Sequence, residues 1–188
     1  GEPGLSGWTI YADLNGNNAL DSGEPSDVTD VNGNYTMTDV PTGARDVREV
    51  LQSGFARTAP AGGEHHVSVS AGGTVSGLDF GNARESTVSG TKFHDVDGDG
   101  VQAAGGEPGL SFWTVYVDLN GNGRFDGGEP RDLTDPGDGS YEIDGIPPGT
   151  YEVREEVRTG WVPTAPAGGA RSISFSSGSS HSGQDFGN

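Results

Sequence analysis

The apolar positions of this chain alternate with a period of two. Trp113, Val115 and Val117 fall on one side of a run, and Thr114, Tyr116 and Asp118 on the other. Tyr141 and Ile143 alternate with Glu142 and Asp144; Tyr151, Val153 and Glu155 share one side, as do Ile173 and Phe175. Successive side chains of a strand point to opposite faces, so this spacing predicts strands that turn one face toward a core. The runs are short and end in Gly, Pro, Asn and Asp, the residues of tight turns. With 34 Gly and 11 Pro, the chain leaves no stretch long enough for a significant helix. The predicted class is all-β.

The pattern is written twice. Gly1-Glu-Pro-Gly-Leu-Ser6 recurs as Gly106-Glu-Pro-Gly-Leu-Ser111, and Trp8, Tyr11, Asp13 and Glu24 recur as Trp113, Tyr116, Asp118 and Glu129. After one inserted residue near Gly137, Tyr35 matches Tyr141, Val47-Arg48-Glu49 matches Val153-Arg154-Glu155, and Thr58–Gly63 matches Thr164–Gly169. Asp79-Phe-Gly-Asn82 matches Asp185-Phe-Gly-Asn188. Roughly seven strands in ~100 residues is the size of an immunoglobulin-like sandwich. The sequence therefore predicts two tandem antiparallel β-sandwich modules, residues 1–84 and 85–188. The second opens with Ser86-Thr-Val-Ser-Gly-Thr-Lys92-Phe93 and an acidic loop before its Gly-Glu-Pro; the first module lacks the counterparts of that strand and loop.

Composition narrows the chemistry. Apolar residues make up 30%, so each core is thin, and there is no cysteine to staple it. A bound metal is the remaining common staple for small modules. The formal charge is -18, with 10 basic against 28 acidic residues. That balance excludes nucleic acid and an anionic membrane surface as partners, since phosphates need clustered bases. The acids keep a fixed spacing with aromatics between them, which a disordered acidic tract does not. No apolar segment reaches the length of a membrane span. No signal peptide is visible and the chain does not start with Met, so the expectation is a mature fragment of something longer.

The acids concentrate in loops of one design. Asp118, Asn120, Asn122, Gly123, Arg124, Asp126 and Glu129 fit the twelve-residue calcium pattern D-x-[DN]-x-[DN]-G-x5-E at every position. Asp13, Asn15, Asn17, Ala19, Asp21 and Glu24 fit it with Asn18 in the sixth place, where Asn is the usual substitute when φ must be positive. Side-chain oxygens at positions one, three, five and nine, the position-seven carbonyl (Ala19 or Arg124) and a terminal Glu supply the oxygen shell that Ca2+ prefers. A third loop offers Asp95, Asp97, Asp99 and the carbonyl of Val101, but its acid, Glu107, falls one residue late and Ala103 replaces the ninth oxygen. Weaker binding is expected there. Three bound ions would bring the charge from -18 to about -12. Asn-Gly and Asp-Gly turns occur without metal, but that alternative does not explain a Glu closing both regular loops at position twelve. Asp27, Asp30, Asp132 and Asp135 read as turn-capping residues.

The run Val-Ser-Gly-Thr-Lys92-Phe, then Asp-Gly-Asp-Gly-Val-Gln, Gly-Glu-Pro-Gly-Leu, Asp-Leu-Asn-Gly-Asn-Gly, Pro-Pro-Gly-Thr-Tyr151-Glu-Val-Arg-Glu155 and Asp-Phe-Gly-Asn188 resembles the SdrD B-like repeat, of the collagen-adhesin B-type class of bacterial surface domains. The resemblance covers both modules. It implies a prealbumin-like sandwich, calcium in the acidic loops and a role as a stiff spacer or stalk. The departures are the late Glu107, Asn18 for Gly, Ala44-Arg45-Asp46 where the second module has Thr150-Tyr151-Glu152, and the absent first strand. Some B-type relatives join a Lys and an Asn of the first and last strands through an isopeptide bond promoted by a buried acid; the resemblance puts Lys92, Asn188 and Glu155 in those places. The alternative is a surface Lys, a turn Asn and an exposed Glu.

No enzyme is indicated. The acids sit in Gly- and Asn-rich turns rather than an apolar cleft, and there is no Ser-His-Asp order, phosphate loop or Cys nucleophile. His65 and His66 are adjacent, so they face opposite ways; they, His94 and His181 are expected at the surface. Trp8, Phe55, Trp113 and Trp161 are expected to pack in cores or at edges. The function predicted is a calcium-stabilised, non-enzymatic stalk of a secreted or cell-surface protein, its partners being neighbouring modules. Assembly into an extracellular fibre through strand exchange at the first module's open edge is a variant of it. The alternative is an adhesin gripping a host protein or polysaccharide through its loops.

Overall fold

In the computed structural model, which describes residues 2–188, every regular element is a strand; the described residues contain no helix. Gly1, where the expected first module begins, lies outside the described residues. The chain divides into two units, Gly1–Ala83 and Arg84–Asn188.

The second unit holds β7 (Ser86–Phe93), β8 (Thr114–Asp118), β9 (Arg131–Leu133), β10 (Ser140–Ile146), β11 (Gly149–Glu155), β12 (Ala170–Phe175), β13 (Ser180–His181) and β14 (Phe186–Gly187). One sheet runs β12-β11-β8-β9, and β7 pairs with β10, β13 and β14 in the other layer. Between them lies a core of Val88, Val115, Val117, Tyr141, Ile143, Ile146, Val153, Ile173, Phe175 and Phe186. Each such side chain contributes roughly 1.5–3 kcal/mol by leaving water. These are the inward positions of the period-two pattern.

Two features depart from that pattern. Tyr116 and Asp118, expected on the outer face of β8, are buried like Val115 and Val117. The acidic loop folds back over that face, and Phe125 stacks on Tyr116 with ring centroids 5.6 Å apart. The sandwich is also not wholly antiparallel. β13 and β14 run parallel to β7, with Phe186 opposite Lys92 and Gly187 opposite Phe93. Hairpin chemistry fixes the sense of sequence neighbours only, and the whole of the other sheet separates β7 from β14. Gly90 marks how closely the terminal segment approaches β7: a Cβ there would lie 2.6 Å from the Gln184 backbone.

The first unit comprises β1 (Thr9–Asp13), β2 (Ser26–Val28), β3 (Gly43–Glu49), β4 (Phe55–Ala59), β5 (Glu64–Val69) and β6 (Gly81–Arg84). Its four-stranded sheet, β2-β1-β3-β5, repeats the β9-β8-β11-β12 sheet in order. A strand equivalent to β7 is absent from the described residues, and residues 34–40, the counterpart of β10, carry no strand.

A threonine ties the same corner in each unit. Thr134, fully buried, accepts the Trp113 N–H at 3.0 Å and donates to the Leu110 carbonyl at 2.6 Å. Thr29 does the same for Trp8 (2.9 Å) and Leu5 (2.6 Å). Thr134→Val keeps the shape and orphans both backbone groups, so it is expected to destabilise the second unit by roughly 1–3 kcal/mol. Its denaturant midpoint measures this; an unmoved midpoint would show the corner to be dispensable.

Candidate metal centres and a buried Lys–Glu–Asn cluster

Each acidic loop leaves a strand at a buried aspartate. Asp13 ends β1, Asp118 ends β8, and Asp95 follows β7 by two residues. That carboxylate gathers the turn: Asp118 accepts the N–H groups of Gly121 (2.7 Å) and Gly123 (2.8 Å). Asp13 accepts those of Gly16 (2.6 Å) and Asn18 (2.9 Å), and Asp95 those of Gly98 (2.7 Å) and Gly100 (2.9 Å). The sixth residue must take positive φ, and it does: 63° at Asn18, 79° at Gly100 and 74° at Gly123. The third and fifth side chains, Asn15 and Asn17, Asp97 and Asp99, Asn120 and Asn122, each accept the N–H two residues on. These are Asx turns that curl the loop around its own oxygens.

The closing glutamate clamps both ends. Glu129 accepts the N–H groups of Leu119 (2.9 Å) and Asp126 (3.0 Å), and Glu24 those of Leu14 (2.7 Å) and Asp21 (3.0 Å). Glu107 makes the same pair, to Val96 (2.8 Å) and Ala103 (2.7 Å), despite its shift by one residue. The extra residue is taken up in a turn where the Ala103 carbonyl accepts the N–H groups of both Gly106 and Glu107. In the two regular loops the ninth-position acid accepts both amide groups across the loop: Asn15 (2.8 Å) and Asn17 (2.7 Å) donate to Asp21, and Asn120 (2.8 Å) and Asn122 (2.5 Å) to Asp126. These amides, with that of Asn120 first, hold the Asp126 carboxyl below the usual range.

The regular loops are not free of basic neighbours. Arg48 of β3 reaches Asp13 at 3.3 Å, and Arg154 of β11 reaches Asp118 at 3.4 Å. The repeat places these arginines beside the loops through strand pairing, which loop spacing does not reveal. Burial pushes the Asp13 carboxyl up, but the Asn18 and Gly16 N–H groups and Arg48 together bring it below its ordinary value. In the middle loop Asp95, Asp97 and Asp99 bring carboxylate oxygens within 4.8 Å of one another. Charge therefore favours the middle loop and ligand count the other two. The donors are all oxygens, which suits a hard cation. The carbonyls of Ala19, Val101 and Arg124 lie in the loops but no contact distinguishes them.

A second cluster lies inside the second unit. Lys92 is the chain's single lysine, and it is 0% exposed. Its Nζ is 3.1 Å from Glu155 Oε2 and 3.3 Å from the Phe186 carbonyl, and 4.8 Å from the centre of the Trp113 ring. The Glu155 side chain is also 0% exposed, and Asn188 only 5%. The parallel pairing of β14 with β7 carries Asn188 here, and the inward side of β11 carries Glu155. Burial pushes the Lys92 ammonium down and the Glu155 carboxyl up; each partner's charge opposes this without cancelling it. The Asn188 amide lies close enough to draw on the carboxyl, yet its Nδ2 and Oδ1 are buried with no well-aligned hydrogen bond. The arrangement is not that of a surface lysine, a turn asparagine and an exposed glutamate. It sets a neutral-leaning amine and a protonated-leaning acid beside an unpaired carboxamide.

The first unit carries a related pair that motif reading passed over. Glu49 and Asn82 are the repeat counterparts of Glu155 and Asn188, and Asn82 Nδ2 donates to Glu49 Oε2 at 2.7 Å. The repeat offset alone was the signal that pointed to them.

The remaining residues are structural. Phe55 packs edge-on against Trp8 (5.2 Å), as Trp161 does against Trp113 (5.5 Å). His94 and His181 are half-buried rather than at the surface, because their rings stack on Trp161 (4.9 Å) and Phe175 (5.1 Å). His65 is half-buried too, stacked on Phe80, and only His66, which faces Asp46, is exposed as expected. Asp30 caps its turn through the N–H groups of Asn32 and Asn34, while Asp27 and Asp132 reach across to the N–H groups of Thr36 and Glu142.

No protein-family model matches the chain. It is 28% identical over 193 residues to serine-aspartate repeat-containing protein D of Staphylococcus aureus strain Newman, and equally to that protein of strain MW2. The match covers 97% of this chain and 14% of the relative's length. Among solved structures, the chain is similar to a streptococcal ancillary pilin (TM-score 0.42, 16% identity, 98% of this chain and 58% of that one). The minor pilin of Streptococcus agalactiae gives a TM-score of 0.39 at 15% identity, over 99% of this chain and 84% of that one. The Bacillus anthracis TIE protein gives 0.37 at 16%, over 99% and 31%. The chain thus has a distant sequence similarity to a segment of a staphylococcal serine-aspartate repeat protein.

Proposed function

We propose that this chain is a non-enzymatic, calcium-stabilised tandem module that acts as a stalk or spacer in a secreted or cell-surface protein. The observation that carries this reading is the threefold repetition of one loop geometry, in which a buried aspartate gathers the turn and a glutamate clamps its two ends. Ca2+ would be held by Asp13, Asn15, Asn17, Asp21 and Glu24, by Asp95, Asp97, Asp99 and Glu107, and by Asp118, Asn120, Asn122, Asp126 and Glu129, with the carbonyls of Ala19, Val101 and Arg124. It would neutralise carboxylates that otherwise repel, and its binding energy would add to folding stability.

The same reading assigns Lys92, Glu155 and Asn188 to an internal cross-link. The neutral Lys92 amine attacks the Asn188 Cγ, the new C–N bond replaces the bond to the amide nitrogen, and ammonia leaves. The Glu155 carboxyl carries the proton from the amine to the departing nitrogen. The bond would tie β7 to the segment after β14, the two ends of the unit, so that tension would run through it rather than through the sheets.

Pulling a single molecule from both ends tests the role. The first unit is expected to unfold at a force that falls when calcium is chelated. The second is expected not to lengthen between Lys92 and Asn188. Full extension of both units at a calcium-independent force would contradict a stalk.

A further inference from the structure

The middle acidic loop of the second unit meets β14 and the Thr164–Ala165 segment at three points. Asp95 donates its N–H to the Asn188 carbonyl at 2.9 Å. The Thr164 hydroxyl, with the Gly100 and Gly98 N–H groups, holds the Asp95 carboxyl below its ordinary value against the upward push of burial. That hydroxyl oxygen is itself buried and has no well-aligned hydrogen bond. At the sixth loop position, a Cβ on Gly100 would lie 3.7 Å from the Ala165 Cβ and 3.8 Å from the Thr164 carbonyl oxygen, so the turn rests on this segment.

Thr164 and Ala165 in turn hold β14. Both donate their N–H groups to the Gly187 carbonyl (2.8 and 3.2 Å), and the Gly187 N–H returns to the Ala165 carbonyl at 2.7 Å. Gly187 is wedged between two neighbours: a Cβ there would lie 2.7 Å from the Phe93 ring and 2.9 Å from the Thr164 hydroxyl oxygen. One threonine therefore spans loop and strand, its hydroxyl toward Asp95 and its N–H on Gly187. β14 pairs with β7 only over Phe186 and Gly187, so these further bonds weigh heavily in its attachment.

Charge makes this attachment conditional. Asp13 and Asp118 have Arg48 and Arg154 at 3.3 and 3.4 Å, so their loops keep a counter-charge of their own. Asp95, Asp97 and Asp99 gather their oxygens within 4.8 Å of one another. Among the described residues no basic side chain forms an ion pair with any of these three. Like charges so close repel unless a cation sits between them. Asp97 and Asp99 are exposed, so the loop relieves that repulsion by opening outward.

We infer that the middle loop is a calcium-operated latch on β14, with Thr164 as its positioning residue. An ion in the loop fixes Asp95. Asp95 then holds Asn188 through its N–H and orients the Thr164 hydroxyl, while the Thr164 backbone holds Gly187. Without the ion the loop opens, and residues 164–165 and 186–188 lose their shared anchor while the sheets stay folded. The coupling is reciprocal: a seated β14 presents Thr164 to Asp95 and tightens the ion. The inference rests on the middle loop holding an ion, as proposed above. It adds that this ion, and not its neighbours, governs how firmly β14 is seated.

The test measures backbone order parameters of the 188-residue chain by NMR, below its melting temperature, in calcium and in chelator. Those of Thr164, Ala165, Gly187 and Asn188 are expected to fall from about 0.85 to below ~0.6 when calcium is removed, with Thr134 unchanged as the reference in the same unit. Glu107→Ala in calcium should reproduce the fall, and Glu129→Ala should not. Thr164→Val keeps the shape but removes a hydrogen bond to a charged group. It should loosen β14 in calcium and weaken the middle ion on the order of tenfold, read from the Asp95 and Gly100 amide shifts during a calcium titration. Thr164→Ser should restore both. An unmoved affinity in Thr164→Val would reduce the threonine to packing and overturn its role. If three ions bind and residues 164–165 and 187–188 are equally rigid with and without them, the latch is wrong while the metal reading stands. If no ion binds, both fall. A loss of order spread evenly over the unit would also overturn the inference.

Discussion

Stripping calcium from this chain is expected to lower its melting temperature by on the order of 20 °C for the second unit, which carries two of the loops. An ion held at a hundred times its dissociation constant contributes roughly 2.7 kcal/mol per site. In a domain of this size each kcal/mol corresponds to about 4–8 °C. The physical source is electrostatic. Asp95, Asp97 and Asp99 hold their oxygens within 4.8 Å of one another, and the chain as a whole carries -18. The glutamate clamps decide the effect, because each one ties the second and ninth N–H groups of its loop. Glu24→Ala should abolish the calcium response of the first unit, and Glu107→Ala with Glu129→Ala that of the second. Arg48 and Arg154 limit the drop, since they neutralise part of the charge at Asp13 and Asp118 when the ion is gone. Differential scanning calorimetry with calcium and with chelator reads all of these. Coincident curves for the unmodified chain would remove metal from the account.

Glu155→Gln is expected to have the other large effect. The substitution keeps volume and polarity but removes the acid that relays the proton, so the Lys92–Asn188 bond should not form and the variant should show the full mass of its sequence, with no ammonia lost. Lost with it is the closure of a loop between residues 92 and 188. By analogy with a disulfide closing a loop of ~100 residues, this is about 4–5 kcal/mol. Lys92→Met likewise keeps the ammonia, with a different packing outcome. It leaves Glu155 buried, but burial already raises that carboxyl, which can stay protonated instead of holding an unpaired charge. If the two variants differ in stability while both keep the ammonia, the difference measures packing and the common part measures the bond. A chain of unshifted mass in the unmodified protein would mean that Lys92 and Glu155 form an ion pair and nothing more.

Strand alternation was legible because it depends on neighbours in sequence: Tyr141 and Ile143 lie inward and Glu142 and Asp144 outward, as their spacing indicates. The loops were legible for the same reason, down to positive φ at Asn18. What spacing could not show was set by distant partners. Tyr116 and Asp118 are buried because a loop returns over them, and Arg154 meets Asp118 only because β11 pairs with β8. The parallel sense of β14 is likewise a property of the closed sandwich. Glu107 does fall one residue late in the count, and the turn that takes up the extra residue is not visible in spacing. The burial of Lys92 had a compositional trace, being the single lysine of an acidic chain, and the Glu49–Asn82 pair had a trace in the repeat offset. Neither trace says that the groups face an interior.

The most direct test of the account is a native mass spectrum of the 188-residue chain refolded in calcium. The loops predict a species carrying three calcium ions, falling by one ion with each of Glu24→Ala, Glu107→Ala and Glu129→Ala. A folded chain that retains no calcium, with the same melting temperature before and after chelation, would contradict it.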